Sequence, residues 1–198
     1  MSSETIDYYN QHAAEYVQAT VNVDMAALYA EFLPMVKSGG HILDAGCGSG
    51  RDAYYFQQLG FTVSAFDAST AMAKIASERL QQTVTVLSFE QLDEPETFDG
   101  IWCCASLLHV ASKTLPAVFS RLQRALKPTA VLYVSFKYGD SEREVTSRRF
   151  TDMNEQQLTA LLADIPGLTP KKIWLTCDQR PERDNENWLN ALLIKEAV

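Results

Sequence analysis

Two carboxylates and three glycines at fixed spacing are the residues of this chain best suited to chemistry. Asp44 closes a short apolar strand at His41–Asp44, and Gly46, Gly48 and Gly50 follow at alternate positions before a helical pattern begins at Arg51. Glycine tolerates positive φ and has no β-carbon, so the turn can be tight and a ligand can approach the backbone closely. The helix that follows would aim unpaired amides into the same space. Asp67 ends a second strand 21 positions after Gly46, where an acidic side chain accepts the hydroxyl protons of a ribose. The pattern is that of a nucleotide or nucleoside site.

Two details separate a dinucleotide from a sulfonium nucleoside. The glycines read G-x-G-x-G, and the position that a third dinucleotide-fingerprint glycine would occupy is Arg51. That glycine brings helix and strand together around a pyrophosphate, which an arginine cannot do. Asp44 would repel a pyrophosphate, yet it suits a cationic amino acid moiety. Both details point away from NAD and toward a methyl donor.

The elements that must position these residues follow from periodicity. Ile6–Tyr16 and Met25–Val36 read as helices, the second broken by Lys37-Ser38-Gly39-Gly40. Strands are expected at 41–44, 61–66, 83–87, 98–104 and 130–136. Helices fall between them at 51–59, at 70–80 with Ser69 as cap, and at 115–126 with Pro116 near the start. A helix at 154–163 precedes two closely spaced strands at 171–176 and 188–195. This alternation gives a doubly wound, mostly parallel seven-stranded sheet of Rossmann-like α/β class, with one antiparallel strand near the C-terminus.

The chain has 198 residues, 46% hydrophobic content and a formal net charge of −8. One domain, 1–198, is expected at that length. The acidic balance argues against nucleic acid and anionic membranes as partners. Cys47, Cys103, Cys104 and Cys177 show no metal-ligand spacing and read as reduced thiols, so no metal is expected. Cys103 and Cys104 face opposite sides of a strand and cannot chelate together. The first residues lack a signal-peptide pattern and no apolar run is long enough to span a bilayer, which gives a cytoplasmic expectation.

Leu43-Asp44-Ala45-Gly46-Cys47-Gly48-Ser49-Gly50 resembles the first motif of the class I S-adenosylmethionine-dependent methyltransferases. Phe98-Asp99-Gly100-Ile101 is similar to that family's fourth-strand motif, and Leu126-Lys127-Pro128 to the segment before its fifth strand. The likeness covers about residues 41 to 136, and Gly50-Arg51-Asp52 resembles small bacterial members labelled tellurite-resistance-like. The resemblance implies S-adenosylmethionine as methyl donor and S-adenosylhomocysteine as product. It implies donor contacts from Asp44, Gly46, Cys47, Gly48 and Asp67, with Ser88 and Phe89 at the adenine. Arg51, a cation in the first turn of a helix, calls for an anionic partner, for which Asp44, Asp52 and the donor's carboxylate are the candidates and simple solvation the alternative. It also implies that residues 1–38 form a helical lid over a 39–198 core. The chain departs from the family at Thr129-Ala130, where glycine is common, and at Ser88, where an acidic residue is common.

Tyr8, Tyr9, His12 and Tyr16 cluster on the lid segment, and Tyr16 is placed among the donor contacts; simple aromatic packing is the alternative for each. His109 follows the fourth strand, on the side where open α/β sheets bind ligands, and can act as a general base. Lys137, Arg143, Arg148, Arg149, Arg180 and Arg183 could form a pocket for an anionic acceptor. Asp140, Glu142, Glu144, Glu182, Asp184 and Glu186 interleave with them, so these segments read as solvated, self-neutralising loops.

The expected function is methyl transfer to a small-molecule acceptor by in-line displacement, with positioning contributing up to roughly 7–11 kcal/mol. Methylation of tRNA or protein, or nucleoside binding without catalysis, are the alternatives. The acceptor and the oligomeric state are not legible at this level.

Overall fold

Strand β1 (His41–Ala45) is buried from Ile42 onward, because helices cover both faces of the sheet it belongs to. The computed structural model describes residues 1–180, 183 and 185–197. Three helices precede β1: α1 (Ser3–Gln11), α2 (Ala13–Thr20) and α3 (Ala26–Phe32). After β1 come α4 (Arg51–Gln58), β2 (Thr62–Asp67), α5 (Thr70–Leu80), the short β3 (Thr85–Val86) and β4 (Phe98–Cys103). The chain continues through α6 (Leu115–Ala125), β5 (Leu126–Lys137), β6 (Glu142–Val145), β7 (Arg148–Thr151), α7 (Glu155–Ala163), β8 (Leu168–Cys177) and β9 (Asn187–Lys195).

Seven strands form one sheet in the order β3-β2-β1-β4-β5-β9-β8. All pairs are parallel except those of β9, which runs antiparallel to both β5 and β8. This is the expected Rossmann-like sheet with its single reversed strand. The strand order reverses at β1 and β4, and ligands of open α/β sheets sit beyond the carboxyl ends of such a pair.

Each face of the sheet carries its own core. Phe119, Leu122, Leu158 and Leu162 of α6 and α7 pack on one face, and Phe32, Phe56, Ala73 and Ala76 of α3, α4 and α5 on the other. Cys103 belongs to the first core and Cys104 packs against the second, as strand alternation requires. Gly100 lets α3 lie flush on β4, since a β-carbon there would come within 2.9 Å of Phe32 and Val36. Local signals agree with these positions. Ser69 Oγ accepts from Met72 N at 3.2 Å at the start of α5, and Asn154 and Gln157 form a reciprocal capping box at α7.

Some boundaries differ from the sequence reading. The first helix is broken at His12, whose ring stacks on Tyr8 with 4.4 Å between centroids, so the chain turns between α1 and α2. Strand β3 is reduced to two exposed residues at the sheet edge. Residues 142–151, read as solvated loop, form the antiparallel hairpin β6–β7.

Candidate active site

The turn after β1 carries its glycines in the left-handed region, Gly46 at φ 73°, Gly48 at φ 54° and Gly50 at φ 71°. A β-carbon on Gly46 would lie 2.6 Å from that of Ser106, which follows β4, so the turn and the β4 loop meet without room for a side chain. The amides of the turn are largely committed within the protein. Gly46 N and Cys47 N both donate to Phe66 O, Gly50 N to Cys47 O, and Gly48 N to Asp67 Oδ2 at 2.8 Å. The unpaired amides expected from sequence are therefore fewer than a phosphate cradle needs. The turn offers a close backbone wall instead, with carboxylates behind it.

Asp44, at the end of β1, is 3% exposed and accepts from Ala53 N at 3.0 Å. Burial, reinforced by the nearby Asp52 carboxylate, pushes its carboxyl well above the usual range. Asp52, one of the candidate anions for Arg51, also gathers donors that the sequence does not bring together. It accepts from Tyr29 Oη at 2.5 Å, Trp102 Nε1 at 2.8 Å, and Arg51 Nε and NH2 at 2.5 and 3.0 Å. Burial pushes this carboxyl up, but Arg51 and the other donors outweigh it and hold it below its ordinary value. Arg51 also donates to Thr20 O at 3.0 Å, which ties α2 to the first turn of α4. An arginine opposed to a helix dipole has thus found its anion in the next residue.

Asp67 ends β2 with both oxygens engaged, accepting from Gly48 N and Ser69 N at 2.8 Å each. Each oxygen keeps a lone pair for a further donor. Burial raises this carboxyl, opposed by the backbone amides. A small cavity of about 40 Å³ lies against Gly46, Gly48, Asp67, Ser69 and Met72, beneath α1. It shares Tyr9, Tyr16, Gly46, Gly48 and His109 with a larger cleft of about 760 Å³ whose lining includes Asp44, Cys47 and Arg51. The Tyr16 ring is the nearest neighbour of a β-carbon placed on Gly48, at 3.8 Å. Ser88 and Phe89 line neither cavity: Ser88 caps a short 3-10 turn, and Phe89 is buried with its ring beside Gly46 and against Phe66.

Helix α1 is fastened over this space from three sides. Asn10 Oδ1 accepts from Ser69 Oγ at 2.7 Å, Thr70 Oγ1 at 3.2 Å and Ala71 N at 3.2 Å, all at the start of α5. Thr5 Oγ1 accepts from Arg149 N of β7 at 3.1 Å, and Tyr9 Oη lies 2.8 Å from His109 Nε2. His109 Nδ1 is 2.7 Å from Arg149 O, a carbonyl that can only accept. The proton therefore sits on Nδ1, and Nε2 accepts from the Tyr9 hydroxyl. Burial takes the His109 pKa down to about 4, so the ring is neutral at pH 7 with its basic nitrogen facing Tyr9.

The far wall of the cleft is basic. Lys137, Arg143, Arg148, Arg180 and Arg183 line it, whereas Arg149 pairs with Glu142 outside it. Of the interleaved acids, Glu182 and Asp184 lie outside the described residues. Cys47 is half-buried and Cys103 buried, and burial pushes both thiols up. Among the described residues no group of three or more His, Cys, Asp or Glu side chains could hold a metal ion. No helix among them is long and apolar enough to cross a membrane.

A reversing parallel sheet, a glycine turn at its switch point and a carboxylate at the end of each of two adjacent strands define a Rossmann-like nucleoside-binding protein. Residues 42–129 match the family described as "Methyltransferase domain". Over this stretch, which is under half of the chain, the protein is similar to the class I S-adenosylmethionine-dependent methyltransferases. It is 31% identical over 108 residues to the malonyl-[acyl-carrier protein] O-methyltransferase of Serratia marcescens, spanning 54% of this chain and 42% of that one. The chain spans half or less of the length of the first curated relatives it matches. The fold also matches the 1,6-didemethyltoxoflavin-N1-methyltransferase of Burkholderia thailandensis, solved with 1,6-didemethyltoxoflavin and S-adenosylhomocysteine. That match has a TM-score of 0.70 at 23% identity and covers 99% of this chain and 92% of that one. The [4+2]-cyclase SpnF is similar in fold as well, with a TM-score of 0.76 at 14% identity, covering 100% of this chain and 97% of that one. The fold alone therefore does not dictate which reaction is run.

Proposed function

We propose that this protein transfers a methyl group from S-adenosylmethionine to a small-molecule acceptor by in-line displacement. The observation that carries the reading is the carboxylate pair: Asp44 and Asp67 flank a left-handed glycine turn whose amides are largely committed within the protein. A phosphate ligand would find little to bind there. A sulfonium nucleoside would find a close backbone wall, an anion for its cationic end and a carboxylate for its ribose.

When bound, the donor supplies an activated methyl group on a sulfonium that leaves as a neutral thioether. The protein's part is to bind, orient and exclude water. Gly46, Cys47 and Gly48 form the wall, Asp67 accepts the ribose hydroxyls, and Asp44 offsets the positive charge. Arg51 steadies the turn through Asp52. Tyr16 covers the donor from above Gly48. His109 takes the acceptor's proton at Nε2 by way of the Tyr9 hydroxyl, where the acceptor atom requires a base. Residues 1–38 act as a lid on a 39–198 core, the two working as one domain. The acidic chain and its unpaired cysteines support a cytoplasmic enzyme of small molecules over one of nucleic acid.

The test is transfer of isotope from methyl-labelled S-adenosylmethionine to a metabolite extract by purified protein. Label should enter one small-molecule fraction, and the Asp67→Ala variant should lose it. Binding of S-adenosylhomocysteine without transfer to any fraction would replace this reading with non-catalytic nucleoside binding.

A further inference from the structure

The basic wall of the cleft is not uniformly neutralised. Arg143 forms a bidentate pair with Asp152, Nε to Oδ2 at 2.8 Å and NH2 to Oδ1 at 3.0 Å. Arg180 is held by Asp178, Lys137 by Glu186, and Arg183 by Glu186 at 3.5 Å. Arg148 differs. No carboxylate among the described residues is within ion-pair distance of it, and its Nε is buried with no hydrogen-bond partner.

Its guanidinium is nevertheless held in place. Its Cζ lies over the Tyr8 ring, 4.3 Å from the centroid, and 5.2 Å from that of Phe150. A guanidinium held against aromatic rings by cation–π attraction still has N–H donors to offer a ligand. A buried donor without an acceptor is rare unless something else completes it. The position is also close to the proposed chemistry, since Phe150 packs on His109 with centroids 5.1 Å apart and Tyr8 on Tyr9 at 5.6 Å. The local field has the same sign: burial and the neighbouring Arg180 take the Lys137 ammonium down to about 8.

We infer that the methyl acceptor carries a carboxylate or phosphoryl oxyanion, and that Arg148, clamped between Tyr8 and Phe150, grips it through its guanidinium edge. This rests on the reading of the cleft as a site of methyl transfer. The planar fork matches either oxyanion in a two-point contact, which a lysine cannot reproduce. The clamp spans the lid and the β6–β7 hairpin, so an anion on Arg148 would also draw α1 and β7 together.

The experiment uses ligand-observed NMR with sodium benzoate and inorganic phosphate as probes, on wild-type protein saturated with S-adenosylhomocysteine. Saturation keeps the donor's own carboxylate from being mistaken for the acceptor's. Benzoate binding alone assigns a carboxylate, and phosphate binding a phosphoryl group. Affinity for the bound probe should fall about tenfold or more in Arg148→Gln. It should recover only in part in Arg148→Lys and be unchanged in Lys113→Gln, an exposed lysine outside the cleft. A circular dichroism melt checks that each variant is folded. If neither anion binds the wild type, or if folded Arg148→Gln and Arg148→Lys bind as wild type does, the proposal is overturned. Binding of S-adenosylhomocysteine, measured first and separately, reports on the donor reading alone.

Discussion

The Tyr9 hydroxyl sits 2.8 Å from His109 Nε2, joining the N-terminal helix to the loop after β4 across one hundred residues of sequence. The bond fixes the tautomer of the ring, because the other nitrogen is committed to the Arg149 carbonyl. It also fills the lone pair that a base would use, so a proton reaches Nε2 through the Tyr9 hydroxyl.

This arrangement has a consequence for stability. His109 titrates at about 4 when folded, against an ordinary value of 6.5. Between those values the unfolded chain binds a proton that the native chain does not, so stability declines as pH falls through that window. The loss is on the order of 3 kcal/mol. Urea denaturation of wild type and His109→Gln at pH 7 and pH 4.5 should show a smaller acid-induced loss in the variant. An equal loss in both would show that His109 is accessible to protons in the native state.

Asp44 has the opposite sign. Its folded carboxyl titrates well above 3.8, chiefly through burial, so its contribution to stability is lost as pH rises above the unfolded value. Asp44→Asn keeps an acceptor for Ala53 N–H and removes the buried charge. The variant should be more stable than wild type at pH 7, by about 1 kcal/mol, and the gain should vanish in acid. It should also bind S-adenosylhomocysteine more weakly, as measured by titration calorimetry. A site that trades stability for binding behaves in this way.

Gly46→Ala should be costly on two counts. The position has φ 73°, and the added carbon would approach Ser106 Cβ to 2.6 Å. Left-handed strain and overpacking together should reduce stability by about 3 kcal/mol in chemical denaturation. Nucleoside binding should be lost in whatever fraction remains folded.

The sheet was legible because its signals are local: buried apolar strands, Pro116 and the Ser69 cap, and the glycine turn between Asp44 and Arg51. The β6–β7 hairpin was not. Its strands, Glu142–Val145 and Arg148–Thr151, are four residues each and mostly charged, and its turn is Thr146-Ser147. Both turn residues have positive φ, 49° and 63°, where Asn-Gly would have announced a hairpin. Missing the hairpin hid the basic wall of the cleft, since Arg143 and Arg148 were read as solvated. The Asp52 network was hidden for another reason. Its partners Tyr29 and Trp102 are 23 and 50 positions away and meet it only through packing across the sheet.

That strained turn can itself be tested. Replacing Thr146-Ser147 with Asn-Gly should relieve the left-handed strain and stabilise the hairpin by about 1 kcal/mol. The melting temperature should rise by about 2–4 °C, as read by calorimetry. No change would mean that the hairpin melts before the rest of the fold.

Calorimetric titration of the purified protein with S-adenosylhomocysteine, and in parallel with NADH, tests the core of the account. Micromolar binding of the first is predicted, weakened about tenfold or more in Asp67→Ala, with no heat from NADH. Binding of NADH in place of the thioether nucleoside, or an Asp67→Ala variant that binds as wild type does, would contradict it.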